Sequence, residues 1–302
     1  MKTLITPYID VTINALWSDW QNYPQGRPNP LYSQEAIDWN VDGLILAFIT
    51  LSPSKKPCWA AQDAMPLDWA LPLANDLYSA GRKVIVSFGG ASNNDISMAL
   101  SVEELIATYQ ETIDRYHASG LDFDLENGLY NIKSICEALK VIQQRNPDIS
   151  LSFTLPTLPS GLTGTGLNIV QQAIAANLRF VINGMAMDYY DPNYKDHMGR
   201  AATEAATSIN NQLASLGVKG GYQCVAVTPM IGLNDDLSIF TLDDANTVAA
   251  FAKMNDVAFI GMWDFNRDNP SSYGYVDLTT SSNPEQTHSG QYSMCLVSHA
   301  RS

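Results

Sequence analysis

The chain has 302 residues, with 17 Lys and Arg against 31 Asp and Glu, and a formal net charge of −14. Such an acidic surface repels phosphate backbones, so the composition argues against a nucleic-acid partner. Hydrophobic residues make up 46% of the chain, which is enough for a large core and excludes a disordered protein. The longest apolar runs, such as Leu44 to Ile49, are too short to cross a bilayer, so we expect no membrane partner.

Short apolar runs rich in β-branched residues recur along the whole chain. They begin near Ile5, Gly43, Lys83, Gly120, Leu151, Phe180, Tyr222 and Phe259. Several are apolar almost throughout, which is typical of strands that are buried on both faces of a parallel sheet. Segments with helical spacing lie between them, at 66–80, 131–144, 166–177, 201–216 and 243–254, and Ser101 to Glu104 predicts a capping box. Strand and helix alternate eight times, which predicts a single α/β domain, a closed (β/α)8 or TIM barrel.

A doubly wound open sheet is the alternative to the barrel. It is disfavoured because no predicted strand is followed by a GxGxxG turn or a P-loop. We therefore predict one barrel over residues 1–276. Residues 277–302 form a polar C-terminal tail that either packs on the barrel or trails it.

The cysteines and histidines are scattered along the chain. They are Cys58, Cys136, Cys224, Cys295, His117, His197, His288 and His299. There is no CxxC motif and no His at zinc-ligand spacing, so we expect neither a metal nor a cofactor. The cysteines are predicted to be buried thiols or to form one structural bridge, and three pairings stay open.

The segment Gly120-Leu-Asp-Phe-Asp-Leu-Glu126 carries the clearest chemical signal. Side chains alternate along a strand, so Asp122, Asp124 and Glu126 share one face while the apolar residues pack on the helices. Inside a barrel these carboxylates would point towards its C-terminal mouth, share a proton and have raised pKa values. A glycosidase needs such a protonated acid near neutral pH. A magnesium site or a structural hydrogen-bond cluster is the alternative.

This segment resembles the DxxDxDxE signature of glycoside hydrolase family 18, the chitinases and endo-β-N-acetylglucosaminidases. Further motifs follow the family's order: Ser87-Phe-Gly-Gly90, Met185-Ala-Met-Asp-Tyr189, Thr228-Pro-Met-Ile-Gly232 and Gly261-Met-Trp-Asp-Phe-Asn-Arg-Asp268. The last two are similar to a bacterial branch. The first Asp of the signature is replaced by Ser119, so we expect altered proton sharing and a shifted pH profile rather than an inactive enzyme.

The resemblance implies a retaining chitinase that cleaves β-1,4-linked N-acetylglucosamine polymers by substrate-assisted catalysis through an oxazolinium intermediate. Glu126 would protonate the glycosidic oxygen and later act as base. Asp124 would orient the substrate's acetamido group, and Asp122 would hold a proton with Asp124. Asp188 and Tyr189 would hydrogen-bond the acetamido group or position Glu126.

Further residues are implied to bind the sugar. Trp263 would form the apolar floor under the reactive ring, and Met187 stands where many relatives carry Tyr. Trp17, with Trp20 and Trp59, falls in loops after the first two predicted strands and could stack on additional sugars. The other implied cleft residues are Gly89, Gly90, Asn234 and Arg267.

Two alternative functions stay open for the same barrel. An endo-β-N-acetylglucosaminidase acting on N-glycans would use the same acid and the same acetamido chemistry. A non-catalytic chitin- or glycan-binding lectin would lack turnover. Chitin and N-glycans lie outside cells, so we expect a secreted protein, although the sequence shows no signal peptide. We expect a monomer.

Overall fold

The computed structural model describes residues 1–302. Its strands are β1 (Leu4–Ile5), β2 (Tyr8–Asp10), β3 (Gly43–Leu51), β4 (Pro57–Trp59), β5 (Lys83–Gly89), β6 (Gly120–Asp124), β7 (Ser150–Leu158), β8 (Gly161–Leu162), β9 (Val181–Ala186), β10 (Val225–Pro229), β11 (Gly232–Leu233), β12 (Ile239–Phe240) and β13 (Phe259–Ile260). Its helices are α1 (Leu31–Asp38), α2 (Leu71–Ser79), α3 (Val102–Tyr116), α4 (Ile132–Arg145), α5 (Gly164–Ala175), α6 (Met198–Ser215), α7 (Leu242–Asn255) and α8 (Gln291–Arg301). Short 3-10 helices cover Ile96–Met98, Gly221–Cys224 and Phe265–Arg267.

The parallel strands close into a barrel. Their order is β1-β13-β10-β9-β7-β6-β5-β3-β2, and β1 and β2 are two halves of one strand interrupted at Thr6 and Pro7. One half pairs with β13 and the other with β3. One helix from α1 to α8 follows each barrel strand in turn, so the predicted (β/α)8 fold is confirmed.

The strand β6 is buried along its whole length. On its outer face, Phe123 stacks on Phe88 at 5.7 Å between ring centroids and also contacts Phe153 and Tyr109. These rings pack under the helices, as the alternating pattern predicts. Asp122 and Asp124 are therefore left on the inner face of the barrel.

The C-terminal segment packs on the barrel, which is one of the two predicted alternatives, and it does so as a helix. Residues 291–301 form α8, which packs against α7 and β1 and buries Tyr292 and Leu296. Because α8 takes the eighth helical position, the predicted boundary at residue 276 falls inside the barrel domain. The polar composition of 277–290 hid this helix, since those residues are loop and the helix itself is short.

All four cysteines are free thiols, so the alternative of a structural bridge does not hold. No helix of the structure is both long and apolar enough to span a bilayer.

Candidate active site

A cavity of about 190 Å³ opens at the C-terminal ends of the barrel strands. Its lining residues are Tyr8, Phe48, Ala91, Asp124, Glu126, Thr154, Met185, Met187, Asp188, Thr228, Met230, Asp235 and Trp263. This lining combines four carboxylates with an apolar and aromatic wall, and it contains no Lys, Arg or His. Such a wall with a few polar groups is typical of a site for an uncharged ligand.

Asp122 lies below the cavity and is fully buried. Its Oδ2 accepts hydrogen bonds from the Ser87 hydroxyl at 2.6 Å and the Tyr8 hydroxyl at 2.8 Å. Its Oδ1 accepts hydrogen bonds from the Ser152 and Thr154 hydroxyls, both at 2.6 Å. Burial raises the pKa of Asp122, and these four donors oppose that shift because they stabilise the carboxylate.

Asp124 has a very different environment from Asp122. It is 5% exposed, lines the cavity, and its Oδ1 has no hydrogen-bond partner. Burial, the neighbouring carboxyl group of Glu126 and the charge of Asp122 raise the pKa of Asp124 well above its usual range. We expected a proton shared between Asp122 and Asp124, but the hydrogen bonds of Asp122 all come from hydroxyl groups. Of the two neighbouring carboxyl groups, Glu126 contributes more than Asp122 to the raised pKa of Asp124.

Glu126 follows the last residue of β6 by two positions, and its side chain is exposed at the cavity. Ser119, the residue in place of the first motif Asp, precedes β6 at the opposite end of the strand. Its hydroxyl donates a long hydrogen bond of 3.4 Å to the Val84 carbonyl and does not reach Asp122. The four hydroxyls around Asp122 satisfy that carboxylate without it.

Asp188 lines the cavity after the end of β9, which β7 separates from β6 in the barrel. Its Oδ1 accepts a hydrogen bond of 2.7 Å from the backbone N–H of Asp235. Burial and the adjacent Asp235 charge raise the pKa of Asp188 to about 6. Asp235 itself is exposed and lines the cavity, which the sequence motif did not reveal.

The aromatic floor consists of two rings. Trp263 stacks on Phe48 with 5.8 Å between centroids and 15° between ring planes. Met187 also lines the cavity, as the resemblance implied. Gly89 and Gly90 end β5 beside Asp124, and a Cβ at Gly89 would lie 2.1 Å from the Asp124 carbonyl oxygen. Glycine is therefore required there for close approach of the two strands.

Two implied sugar-binding residues are instead structural. Arg267 is 2% exposed, and its guanidinium donates to the carbonyls of Asp277, Ile231, Leu233 and Ser281. Asn234 is fully buried.

The side-chain amide of Asn234 donates to the carbonyls of Met230 and Gly232, and its oxygen accepts from the N–H of Asp188. Asn234 therefore shapes the loop under Asp188 rather than lining the cleft.

The four aromatic residues that were predicted to act on or stack against the sugar lie in different environments. Tyr189 is nine-tenths buried away from the cavity lining, and its hydroxyl has no partner. Trp59 is fully buried in β4, where its ring N–H donates to the Tyr116 hydroxyl, so it cannot stack on sugar. Trp17 is 55% exposed and Trp20 is 65% exposed, in the loop between β2 and α1 on the face of the cavity.

Tyr8 is the main residue that sequence reasoning missed. Its hydroxyl links Asp122 to Thr154, and Asn183 donates to both hydroxyls at 3.2 and 3.0 Å. Burial and the charges of Asp122 and Asp124 raise the pKa of Tyr8 well above its usual value, so it stays protonated as a donor.

No group of three or more His, Cys, Asp or Glu side chains is arranged to hold a metal ion.

Comparison with known proteins gives no matching family model. The chain is 28% identical over 293 residues to Endochitinase 11 of Metarhizium anisopliae, covering 90% of this chain and 53% of that protein. It is 28% identical over 293 residues to the probable bifunctional chitinase/lysozyme of Escherichia coli, covering 89% of this chain and 31% of that protein. The chain thus spans about half, or less, of the length of the curated relatives it matches.

Among solved structures, the chain superposes with a TM-score of 0.86 on active domain 2 of a thermostable chitinase from Pyrococcus furiosus. That domain was solved as catalytic-site mutants complexed with chito-oligosaccharides. It is 28% identical, and the match covers 100% of this chain and 95% of that chain. The barrel, the carboxylate site and these relatives together indicate a glycoside hydrolase. They support its resemblance to the family 18 chitinases, and because they come from a fungus, a bacterium and an archaeon they do not single out a bacterial branch.

Proposed function

We propose that the chain is a retaining chitinase that hydrolyses β-1,4-linked N-acetylglucosamine polymers. The observation that carries the proposal is that Asp124, whose buried Oδ1 has no hydrogen-bond partner, lines the cavity together with Glu126. An acid with a proton available near neutral pH is what glycosidic oxygen protonation requires. The chitin oligosaccharides bound by the Pyrococcus domain support a carbohydrate ligand here.

The first chemical step follows from this pairing. Glu126 donates its proton to the glycosidic oxygen while the acetamido carbonyl oxygen of the same substrate attacks the anomeric carbon. The bond between that carbon and the glycosidic oxygen breaks, and its electron pair stays on the leaving oxygen. Asp124 accepts a hydrogen bond from the acetamido N–H and stabilises the positive charge of the oxazolinium ring that forms.

The second step regenerates the enzyme. Glu126, now ionised, takes a proton from a water molecule that attacks the anomeric carbon from the leaving-group side. The bond between that carbon and the acetamido oxygen breaks, and its electron pair returns to the acetamido group. The two inversions give overall retention, which is the substrate-assisted exception to the two-carboxylate scheme. Trp263 supplies an apolar surface beneath the reactive ring, and Asp188 lines the same cavity.

Further parts of the proposal rest on the substrate class. Chitin lies outside cells, so the proposed enzyme is secreted, and we propose a monomer of the bacterial type. The motifs after β10 and β13 support that type. Exposed Trp17 and Trp20, in the loop after β2, would stack on additional sugar units.

The test compares the parent with Glu126→Gln on a chromogenic chitobioside and on a high-mannose glycopeptide. We expect the parent to hydrolyse the chitobioside with initial release of the β-anomer, seen by proton NMR. The variant should lose at least ~10³-fold in kcat, because Glu126 acts first as acid and then as base. Thermal unfolding of both proteins checks that the variant is folded.

Each alternative function has its own outcome in this test. Cleavage of the glycopeptide but not the chitobioside would identify an endo-β-N-acetylglucosaminidase. Binding of chitin oligosaccharides without turnover of either substrate would identify a lectin and contradict the proposed enzyme.

A further inference from the structure

Glu126 stands beyond the end of its strand and needs support from elsewhere. β6 ends at Asp124, and beyond its contact with Asp124 the exposed Glu126 side chain is held by no other side chain. A general acid works only when its carboxyl group stays within hydrogen-bonding reach of the leaving oxygen. The position of Glu126 therefore depends on the loop that carries it.

The next residue, Asn127, ties that loop to the loop after β5. Its side-chain amide donates to the Asn93 carbonyl at 2.9 Å and to the Ala91 carbonyl at 3.3 Å. Its side-chain oxygen accepts the N–H of Leu129 at 2.9 Å, which closes an Asx turn. One side chain thus fixes both the local turn and the contact between the two loops.

Two further hydrogen bonds join the same loops farther from Glu126. The N–H of Asp95 donates to the Leu129 carbonyl at 2.9 Å, and the N–H of Asn131 donates to the Ser97 hydroxyl at 2.9 Å. Asn127 is the link nearest to Glu126, and its partner Ala91 lines the cavity. The loops therefore keep their overall contact without Asn127. The segment that carries Glu126 keeps the 3.0 Å hydrogen bond from the Leu125 N–H to the Thr154 carbonyl on one side, but it loses its anchor on the other side.

We propose that Asn127 is a positioning residue for the general acid. The inference rests on the proposed function, since it assigns Glu126 as the acid. Asn127 holds the Glu126 backbone against the loop after β5, so the carboxyl group stays over the leaving oxygen. Asp124 lies within β6 and does not depend on Asn127, so attack by the acetamido group is unaffected.

The test uses Asn127→Ser and two substrates that differ in their need for acid. A Ser hydroxyl can still accept the Leu129 N–H but is too short to reach the carbonyls of Ala91 and Asn93. On chitotetraose, whose leaving sugar must be protonated, we expect kcat/KM to fall about 10- to 100-fold. On 2,4-dinitrophenyl chitobioside, whose leaving group departs without a proton, we expect a fall of less than about threefold.

Asn283→Ser is the matched control. Asn283 lies in the loop between β13 and α8, its side-chain oxygen accepts the Glu285 N–H at 3.0 Å, and its amide donates to the Tyr292 hydroxyl at 2.8 Å. This variant loses an equivalent turn and link outside the cavity lining. Both substrates should be hydrolysed at the parent rate by the folded protein.

The split between the two substrates is the deciding result. Glu126→Gln should show the same split in larger form, and Asn127→Asp, which keeps the turn but not the donors, should show it as well. An equal loss on both substrates, or no loss on chitotetraose, would overturn the positioning role while the parent's activity left the proposed function intact. A parent that hydrolyses neither substrate would overturn the proposed function, and the inference with it.

Discussion

Two buried carboxylates, Asp268 near the C-terminal helix and Asp124 at the cavity, show how the same group serves different ends. Asp268 Oδ1 accepts from the N–H of Tyr292 and the amide of Gln286, and its Oδ2 accepts from the N–H and hydroxyl of Ser293. Asp124 has an unpaired Oδ1. A buried charge with a complete set of donors anchors structure, whereas one left unpaired beside a cavity is available for a ligand.

Of the substitutions that test this comparison, Asp124→Asn is expected to have the largest effect on activity. Removing the charge that stabilises the oxazolinium ion should lower kcat about 10²- to 10³-fold, as loss of one preorganised electrostatic group does. Because the lost charge is buried without donors, the melting temperature should stay equal or rise. Activity assays and calorimetry on the same preparation measure both. A clear drop in melting temperature would show that Asp124, like Asp268, is a structural anchor.

Asp268→Asn should give the opposite pattern. The amide group would face the donors of Ser293, so we expect the free energy of unfolding to fall by about 2–4 kcal/mol. The folded fraction should keep the parent's kcat, because the donors of Asp268 hold α8 and its first turn rather than the cavity. Chemical denaturation and active-site-normalised rates test this. A fall in kcat without loss of stability would contradict the structural role.

The smallest effect on activity is expected for Asp235→Asn, which tests how one cavity carboxylate changes the pKa of another. The Asp235 charge is one cause of the raised pKa of Asp188, about 6, so removing it should lower that pKa. The backbone N–H of Asp235, which donates to Asp188, is unchanged by the substitution. Carboxyl carbon NMR titration of Asp188 should show a midpoint at lower pH, with less than about a threefold change in kcat. An unmoved midpoint would show that burial and the Asp236 charge cause the shift without Asp235.

The barrel and the carboxylate strand could be predicted because both follow from the local spacing of apolar and acidic residues along the chain. Apolar runs mark the strands, and alternation places Asp122 and Asp124 on one face whatever their neighbours are. The helix α8, Gln291–Arg301, was missed because it follows the polar loop 277–290, so the whole C-terminal segment was assigned to a tail. Most of the stability of such a helix comes from tertiary packing, which the local sequence does not show.

The details of the site could not be predicted, because they depend on residues that meet only in the folded barrel. Tyr8, Ser87, Ser152 and Thr154 come from three different strands, β2, β5 and β7, and no spacing in the chain shows that their hydroxyls meet at one carboxylate. Motif membership also does not tell where a side chain points. Arg267 belongs to a recognised motif, yet its guanidinium donates its hydrogen bonds to backbone carbonyls.

The pairing of β1 with β13 has a consequence for the order in which this protein assembles. Leu4 lies opposite Phe259, and the cavity takes Tyr8 from one end of the sequence and Trp263 from the other. Contacts between such distant segments form slowly, because the intervening chain must first be gathered. The pocket is therefore completed late in folding. Recovery of hydrolysis after dilution from denaturant would report the final closure of the ring, after most helical signal has returned.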